Sequence, residues 1–215
     1  MIEMRQGGGA RVEGERTSTS ASTSGIAVLA LQGDFEAHRR KLTEMGLPSF
    51  EARRPRELEA ASGLVIPGGE STTLWKFFEG DPWEEALARF AASGRPILGT
   101  CAGAILLARE VTHPAQKGLG LIDITVERNA YGRQVDSFVG EANAPSLGVR
   151  LPAVFIRAPR IRRVGEGVEV LATFGAEPVL VRQGNVVAAT FHPELTDDIR
   201  VHRMALEGAA QGVPA

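Results

Sequence analysis

The chain carries a single cysteine, Cys101, which stands between Gly99 and Gly103. The apolar residues 96–98 before it read as a strand, and the small and aliphatic residues after it read as a helix. A nucleophile on such a sharp strand-to-helix turn needs glycines nearby for steric clearance. The start of the following helix also favours a thiolate, because its free N–H groups carry positive charge. Outside this setting a lone cysteine is more often a small buried hydrophobe, but the setting favours a nucleophile.

A cysteine nucleophile needs a base, and His192 is the best placed of the four histidines. It follows an apolar strand directly, and α/β folds assemble their sites where strands end. By contrast, His38 is expected at the surface or half-buried on the first helix. If extended backbone continues through Pro193, Glu194 points to the same side as His192 and can orient its imidazole. Glu194 could instead only stabilise the start of the last helix, yet Cys101 favours a Cys-His-Glu triad.

Attack on a carbonyl also requires donors for the oxyanion. Residues 67–69 are Pro-Gly-Gly after a third strand, so their backbone N–H groups are free of side chains, and Gly69 is a candidate donor. The amide of Ala102, directly after the nucleophile, is the expected second donor. A simple Gly-Gly turn is the alternative. No phosphate-loop motif follows these glycines, and no cysteine or histidine pair has metal-ligand spacing, so we predict no metal.

The order of the elements predicts how these residues are brought together. Strands alternate with helices in the first half of the chain, whereas the second half is rich in strands. This order predicts an α/β fold with a mixed sheet and helices on both faces, in one domain over residues 26–208. Predicted strands are 26–31, 49–52, 64–66, 96–98, 122–127, 135–139, 153–156, 168–174, 178–182 and 186–191; predicted helices are 35–45, 72–78, 82–93, 102–110 and 196–207, the last capped by Thr196.

Composition narrows the class of protein. Of the 215 residues, 43% are hydrophobic, and the formal net charge is -2, which excludes a strongly basic nucleic-acid-binding surface. No apolar stretch is long enough to span a membrane, and one cysteine fits a reducing compartment, so we expect a cytoplasmic protein. Residues 1–25 are rich in glycine, serine and threonine and are predicted to be a disordered tail, and 209–215 a short C-terminal tail.

Five blocks of sequence resemble the glutaminase subunits of pyridoxal phosphate synthase, a branch of the class I (triad) glutamine amidotransferases. The resemblance covers residues 26–207 in order, and the third and fourth blocks are specific to this branch. Residues 140–151 match poorly and are expected to form a variable surface loop. The five blocks are 67–73 (PGGESTT), 99–103 (GTCAG), 127–138 (ERNAYGRQVDSF), 155–159 (FIRAP) and 191–196 (FHPELT).

The resemblance implies a flavodoxin-like, three-layer α/β/α class I glutaminase fold. It implies hydrolysis of L-glutamine to glutamate and ammonia, and transfer of the ammonia to a separate synthase (lyase) subunit. No cofactor is expected in this chain, because none of its three lysines lies in a site motif. Gln32 matches a position near the synthase interface. The glutamine-contacting positions carried over are Gly69, Glu70, Ser71, Arg128, Ile156 and Arg157, and arginine suits a carboxylate.

Two other classes of function remain open from the residues. The first is a cysteine hydrolase of the same architecture that acts on peptides or other γ-glutamyl amides. The second is a binding or regulatory subunit without catalysis, which the presence of Cys101, His192 and Glu194 disfavours.

Overall fold

The computed structural model of the protein describes residues 25–128, 137–207 and 209. The predicted tail 1–25, apart from Gly25, lies outside the described residues, as do the first two residues of the predicted strand 135–139. So does the C-terminal segment after 209. Within the described part of the chain, no helix is long and apolar enough to cross a membrane.

Twelve strands and five α-helices are described. The strands are β1 Ile26–Leu29, β2 Ser49–Ala52, β3 Gly63–Ile66, β4 Ile97–Thr100, β5 Ala108–Thr112, β6 Ile122–Glu127, β7 Phe138–Ala144, β8 Val149–Phe155, β9 Arg160–Val164, β10 Glu169–Phe174, β11 Glu177–Gln183 and β12 Val186–Ala189. The helices are α1 Phe35–Glu44, α2 Ser71–Phe78, α3 Trp83–Ala92, α4 Ala102–Leu107 and α5 Arg200–Leu206. Short 3₁₀ turns cover Pro55–Ala60, Pro145–Leu147 and Pro193–Leu195.

The main sheet has nine strands in the order β2-β1-β3-β4-β12-β11-β10-β7-β8. Its first five strands are parallel, and the remaining pairings are antiparallel. A second sheet, in the order β5-β6-β9, contains one parallel and one antiparallel pairing. The predicted mixed α/β sheet is therefore confirmed: four of its five parallel strands, β1 to β4, come from the half of the chain that alternates with helices, and β12 comes from the strand-rich half.

Both faces of the parallel strands are covered by apolar side chains. Along β1, Ala27 and Leu29 pack into one core cluster, whereas Ile26 and Val28 pack into a second one. This division follows from the two-residue period of a strand, which sends successive side chains to opposite faces. Side chains of α2, α3 and α4 contribute to the first cluster, and side chains of α1 and α5 contribute to the second. Continuous apolar runs are what strands buried on both faces require.

The parallel strands end side by side at one edge of the sheet. Ile66 of β3 pairs with Gly99 of β4, and Thr100 of β4 pairs with Ala189 of β12. The loops that follow these three strands therefore emerge next to one another, which is where open α/β sheets place their sites.

Several predicted elements differ from the structure. The predicted helix 102–110 is wrong beyond Leu107, because Ala108–Thr112 pairs with β6 and buries Ala108 and Val111. Tertiary pairing overrides local helix propensity there. The expected surface loop 140–151 is also wrong: β7 and β8 form an antiparallel hairpin around a 3₁₀ turn. Strand β9 has no counterpart among the predicted strands, and Arg162 and Arg163 are exposed along it.

The last helix begins four residues later than predicted, at Arg200 instead of 196. Thr196 does not cap it. Its hydroxyl donates to the Pro193 carbonyl and accepts the N–H of Asp198, so it closes the preceding turn. Thr196 is extended, with a φ of -117° and a ψ of 165°, so the helix does not start there.

Candidate active site

Cys101 lies at the junction of β4 and α4 in strained backbone. Its φ is 47° and its ψ is -102°, a conformation that side chains rarely adopt. The flanking glycines are required by close packing: a Cβ on Gly103 would lie 2.1 Å from the Ile66 carbonyl oxygen. A Cβ on Gly99 would lie 2.4 Å from a methyl of Leu107. The predicted need for glycines on both sides of Cys101 is therefore confirmed.

His192 follows β12 and is paired with Glu194. The His192 N–H donates to the Val154 carbonyl at 2.8 Å, which ties this segment to β8. His192 Nδ1 lies 2.7 Å from Glu194 Oε1. The predicted route to this contact, extended backbone through Pro193, is wrong, because residues 193–195 form a 3₁₀ turn. The turn brings the two side chains together all the same, since it folds Glu194 back towards the imidazole.

The protonation of this pair is set by burial and by its neighbours. Burial of His192 alone would lower its pKa, but hydrogen bonds with Cys101 and Glu194 outweigh burial and raise the pKa to about 10. Burial would raise the pKa of the Glu194 carboxyl, yet the hydrogen bond to His192 and the positive charge of that imidazole keep it below its ordinary value. At neutral pH the arrangement therefore favours an imidazolium beside an ionised carboxylate.

The glycine loop after β3 packs directly against the imidazole. A Cβ on Gly68 would lie 2.4 Å from His192 Cε1 and 3.4 Å from Cys101 Cβ, so only glycine fits. Gly69 has a φ of 145°, in the region that favours glycine. The Gln32 side chain holds this loop: its Oε1 accepts the Glu70 N–H at 3.1 Å, and its Nε2 donates to the Glu70 carbonyl at 3.3 Å. Gln32 thus lies behind the loop rather than in the cleft.

A narrow cleft with a cavity volume of about 50 Å³ opens above Cys101. Arg128, which is 8% exposed, lies 3.4 Å from Glu70 across this cleft, measured between Nη2 and Oε1. Arg157 stands at the cleft with a positive φ of 44°. All six predicted glutamine-contacting residues line the cleft together with the cysteine, although Ala102 does not. The lining residues are Gly69, Glu70, Ser71, Cys101, Ile105, Arg128, Ile156, Arg157 and Pro159.

Four residues near the site are absent from the sequence predictions for it. Ile105 and Pro159 line the cleft, the first from the buried face of α4 and the second from the loop after β8. The expectation that His38 lies at or near the surface is wrong, because His38 is fully buried behind Glu194. Its position on the apolar stripe of α1, four residues before Leu42, is the signal in the sequence. His202 is fully buried beside it.

The donor side chains of the site do not form a metal centre. Among residues 25–128, 137–207 and 209, no group of three or more histidine, cysteine, aspartate or glutamate side chains is arranged to hold a metal ion.

Comparison with protein families gives a match over most of the described chain. The model of the SNO glutamine amidotransferase family matches residues 28–210. The chain belongs to this family. Its relatives include the pyridoxal 5'-phosphate synthase subunit PdxT of Koribacter versatilis, 54% identical over 187 residues, which are 87% of this chain and 96% of the relative. The protein of the same name from Deinococcus radiodurans is 52% identical, with 84% of this chain and 95% of the relative covered.

Solved structures give the same family and fold. A crystal structure of a glutamine amidotransferase is 49% identical, superposes with a TM-score of 0.80, and covers 86% of this chain and 98% of its own. A glutamine amidotransferase from Thermotoga maritima, at 16% identity and a TM-score of 0.56, covers 86% of this chain and 89% of its own, and it shows a shared fold alone.

Proposed function

We propose that this chain is the glutaminase subunit of a pyridoxal 5'-phosphate synthase. It hydrolyses L-glutamine to L-glutamate and ammonia and supplies the ammonia to a synthase subunit. Membership of the amidotransferase family and about 50% identity to proteins named as that subunit support the assignment. The observation that carries it is the convergence of Cys101, His192 and Glu194 beneath a cleft with two arginines.

Cys101 is the nucleophile in this proposal. With the His192 pKa raised to about 10, the ring holds the proton and the sulfur can react as a thiolate. The sulfur attacks the side-chain amide carbon of glutamine, and the carbonyl oxygen becomes an oxyanion. His192 then gives its proton to the amide nitrogen, the C–N bond breaks, and ammonia leaves a thioester on Cys101. Water, deprotonated by His192, attacks the thioester and releases glutamate.

Glu194 stabilises the positive imidazole and holds its orientation through the 2.7 Å contact to Nδ1. The oxyanion would be met by the backbone N–H groups of Gly69 and Ala102. Gly69 borders the cleft in backbone that requires glycine, and Ala102 is the first residue of α4, so its N–H is free of helix bonding.

The cleft suits an amino acid with a carboxylate. Arg128 and Arg157 can bind the α-carboxylate of glutamine, because guanidinium groups match that geometry. Glu70 can accept the α-ammonium, and Ser71 is held in place by donating its hydroxyl hydrogen to Gln116 Oε1 at 3.0 Å. Ile156 supplies the apolar wall. In the protein without substrate, Glu70 pairs with Arg128. Glutamine would replace this ion pair with two contacts of its own, from its α-ammonium to Glu70 and from its α-carboxylate to Arg128.

The partner in this proposal is the synthase (lyase) subunit, and Gln32 marks the expected interface. Gln32 braces the Gly69–Glu70 backbone from behind, so a partner that contacts this side chain can act on the loop. In its finer detail, we propose the fold to be a single three-layer α/β/α domain of the flavodoxin-like class I glutaminase type. The distribution of helices between the two core clusters supports this description.

The test is glutamate release from L-glutamine, measured with and without a cognate synthase subunit. Wild-type protein is expected to release glutamate and ammonia in equal amounts at least in the complex. Cys101→Ala should abolish turnover while it leaves glutamine binding nearly unchanged, because the substituted atom is the nucleophile and not a binding group. Folded wild-type protein that releases no glutamate in either condition would contradict the proposal. Cleavage of γ-glutamyl peptides with indifference to free glutamine would point to the alternative hydrolase.

A further inference from the structure

A chain of buried histidines continues from the triad carboxylate into the protein. Glu194 Oε2, the oxygen that does not contact His192, lies 3.4 Å from His38 Nε2. His38 Nε2 is also 3.1 Å from Thr100 Oγ1, and His38 Nδ1 is 2.9 Å from His202 Nε2. His38 and His202 are 0% exposed, and Glu194 is 4% exposed. His38 comes from α1, His202 from α5, and His192 and Glu194 from the segment after β12. The contacts of His38 therefore join segments that are distant in sequence.

The available hydrogen-bond partners favour one tautomer for His38 and one for His202. Among the described residues, no hydrogen bond of good geometry reaches Glu194 Oε2, and His38 Nε2 is the group that faces it. A proton on His38 Nε2 can be shared between this oxygen and Thr100, whereas a lone pair there would face a carboxylate. His38 Nδ1 must then accept, so His202 Nε2 carries a proton. His202 Nδ1, which has no partner among the described residues, is left as a bare acceptor rather than an orphaned donor.

Burial is the main reason that both inner histidines stay neutral. Burial lowers the pKa of His38, and the opposing carboxylates of Glu194 and Asp34 do not offset it, while His192 adds to the lowering. Burial and the neighbouring His38 lower the pKa of His202 to about 3; Lys41 acts in the same direction, and Glu194 opposes it. Neutral imidazoles can serve as fixed hydrogen-bond donors to an ionised carboxylate.

We propose that His38 is a positioning residue of the glutaminase reaction, held by His202, and that its Nε2 proton orients the Glu194 carboxylate towards His192. The inference rests on the proposed function. A carboxylate in the 3₁₀ turn can rotate about its last bond, and such rotation would weaken the 2.7 Å contact with His192. The His38 donor restrains it from the other side. A residue that supports a catalytic carboxylate in this way affects the chemical step and not substrate binding.

The first test is steady-state glutaminase kinetics on the complex with a cognate synthase subunit. His38→Leu removes the N–H that faces Glu194 Oε2 and is expected to lower kcat about tenfold, the low end for a hydrogen bond to a charged group because the 3.4 Å contact is long, with KM for glutamine unchanged. His38→Gln places an amide N–H near the Nε2 position and should restore a large part of kcat. Leu42→Ala is the matched control: it destabilises the same helix face without touching the site, and its kcat should stay at the wild-type value.

The outcomes separate the two proposals. If wild-type protein showed no glutaminase activity, the proposed function would be contradicted. The second test, which reports the tautomer of His38, would then decide whether His38 donates towards Glu194. Active wild-type protein with an unchanged kcat in folded His38→Leu would overturn the positioning role. An equal loss of kcat in Leu42→Ala would also overturn it, because the loss in His38→Leu would then be explained by a less stable protein.

The second test uses wild-type protein, so it does not depend on whether a His38 variant folds. Nitrogen-15 spectra of histidine-labelled wild-type protein report which ring nitrogen carries the proton. His38 and His202 are each expected as a neutral Nε2–H tautomer at pH 7, and His192 as a charged imidazole; His113, which lies outside this chain of contacts, gives the fourth signal. An Nδ1–H tautomer, or an imidazolium, at either His38 or His202 would overturn the proposal.

Discussion

Replacing Glu194 by glutamine tests the electrostatic part of the mechanism with little change in shape. The substitution keeps the side-chain volume and an oxygen that can accept from His192 Nδ1, but it removes the negative charge. Glu194 is 4% exposed and 2.7 Å from the imidazole, so solvent screens this charge poorly. The loss should therefore appear in the protonation of His192 and, through it, in the reactivity of Cys101.

The size of the effect follows from the pKa of His192. A rise from 6.5 to about 10 corresponds to roughly 5 kcal/mol that favours the imidazolium, and Cys101 and Glu194 share it. If Glu194 supplies half, Glu194→Gln weakens the imidazolium by about 2–3 kcal/mol, which is about 30- to 160-fold in rate. We expect kcat for glutamine hydrolysis to fall by this factor, and the KM for glutamine to stay nearly constant because the carboxylate does not line the cleft.

Two measurements on the same protein check this expectation. The first is steady-state hydrolysis of glutamine in the complex. The second is the rate at which a small alkylating agent modifies Cys101 at pH 7, which reports thiolate without requiring turnover. Asp198→Asn is the control, because it neutralises a carboxylate in the same segment that pairs with Arg200 and not with the triad. If Glu194→Gln left both kcat and the alkylation rate at the wild-type values, the assigned role of the carboxylate would be refuted.

Three further predictions follow. Gly103→Ala should destabilise the fold by several kcal/mol in chemical denaturation, since its Cβ would lie 2.1 Å from the Ile66 carbonyl oxygen, whereas Gly148→Ala, with open space around it, should cost only about 1 kcal/mol of backbone strain. The free energy of unfolding should fall as the pH drops below 6.5. The reason is that buried His202, with a pKa of about 3, stays neutral in the folded protein while the same side chain takes up a proton in the unfolded chain. In His202→Leu the dependence of this free energy on pH should be smaller by about 1.4 kcal/mol per pH unit. Arg128→Ala should raise KM for glutamine at least about tenfold, from the loss of a charged carboxylate contact, and leave Cys101 alkylation unchanged.

Much of the parallel half of the fold could be predicted because it depends on local sequence patterns. Apolar runs predicted strands β1, β3 and β4, and the predicted helix at 35–45 is present as α1, where Asp34 caps the first turn by accepting the Ala37 N–H. The strand-rich second half was predicted less well. Residues 108–112 and 160–164 form strands because of the neighbours that they meet in the second sheet, and single-sequence periodicity does not contain that information.

The sequence by itself determined which residue types are available for the chemistry. It contains one cysteine between two glycines, a histidine and a glutamate after a predicted strand, and two arginines in separate blocks. Their roles remain predictions. The glycines could be interpreted correctly because backbone clearance is a local requirement, and Gly103 meets it against Ile66.

Only the tertiary structure decided how Glu194 meets His192 and what lies behind it. The 3₁₀ turn at Pro193–Leu195, rather than extended backbone, brings Glu194 to His192. His38 and His202 are 164 residues apart in sequence and still meet at 2.9 Å, because α1 and α5 contribute to the same core cluster. Burial and hydrogen bonding between distant segments depend on how layers pack, and that packing is a property of the whole chain.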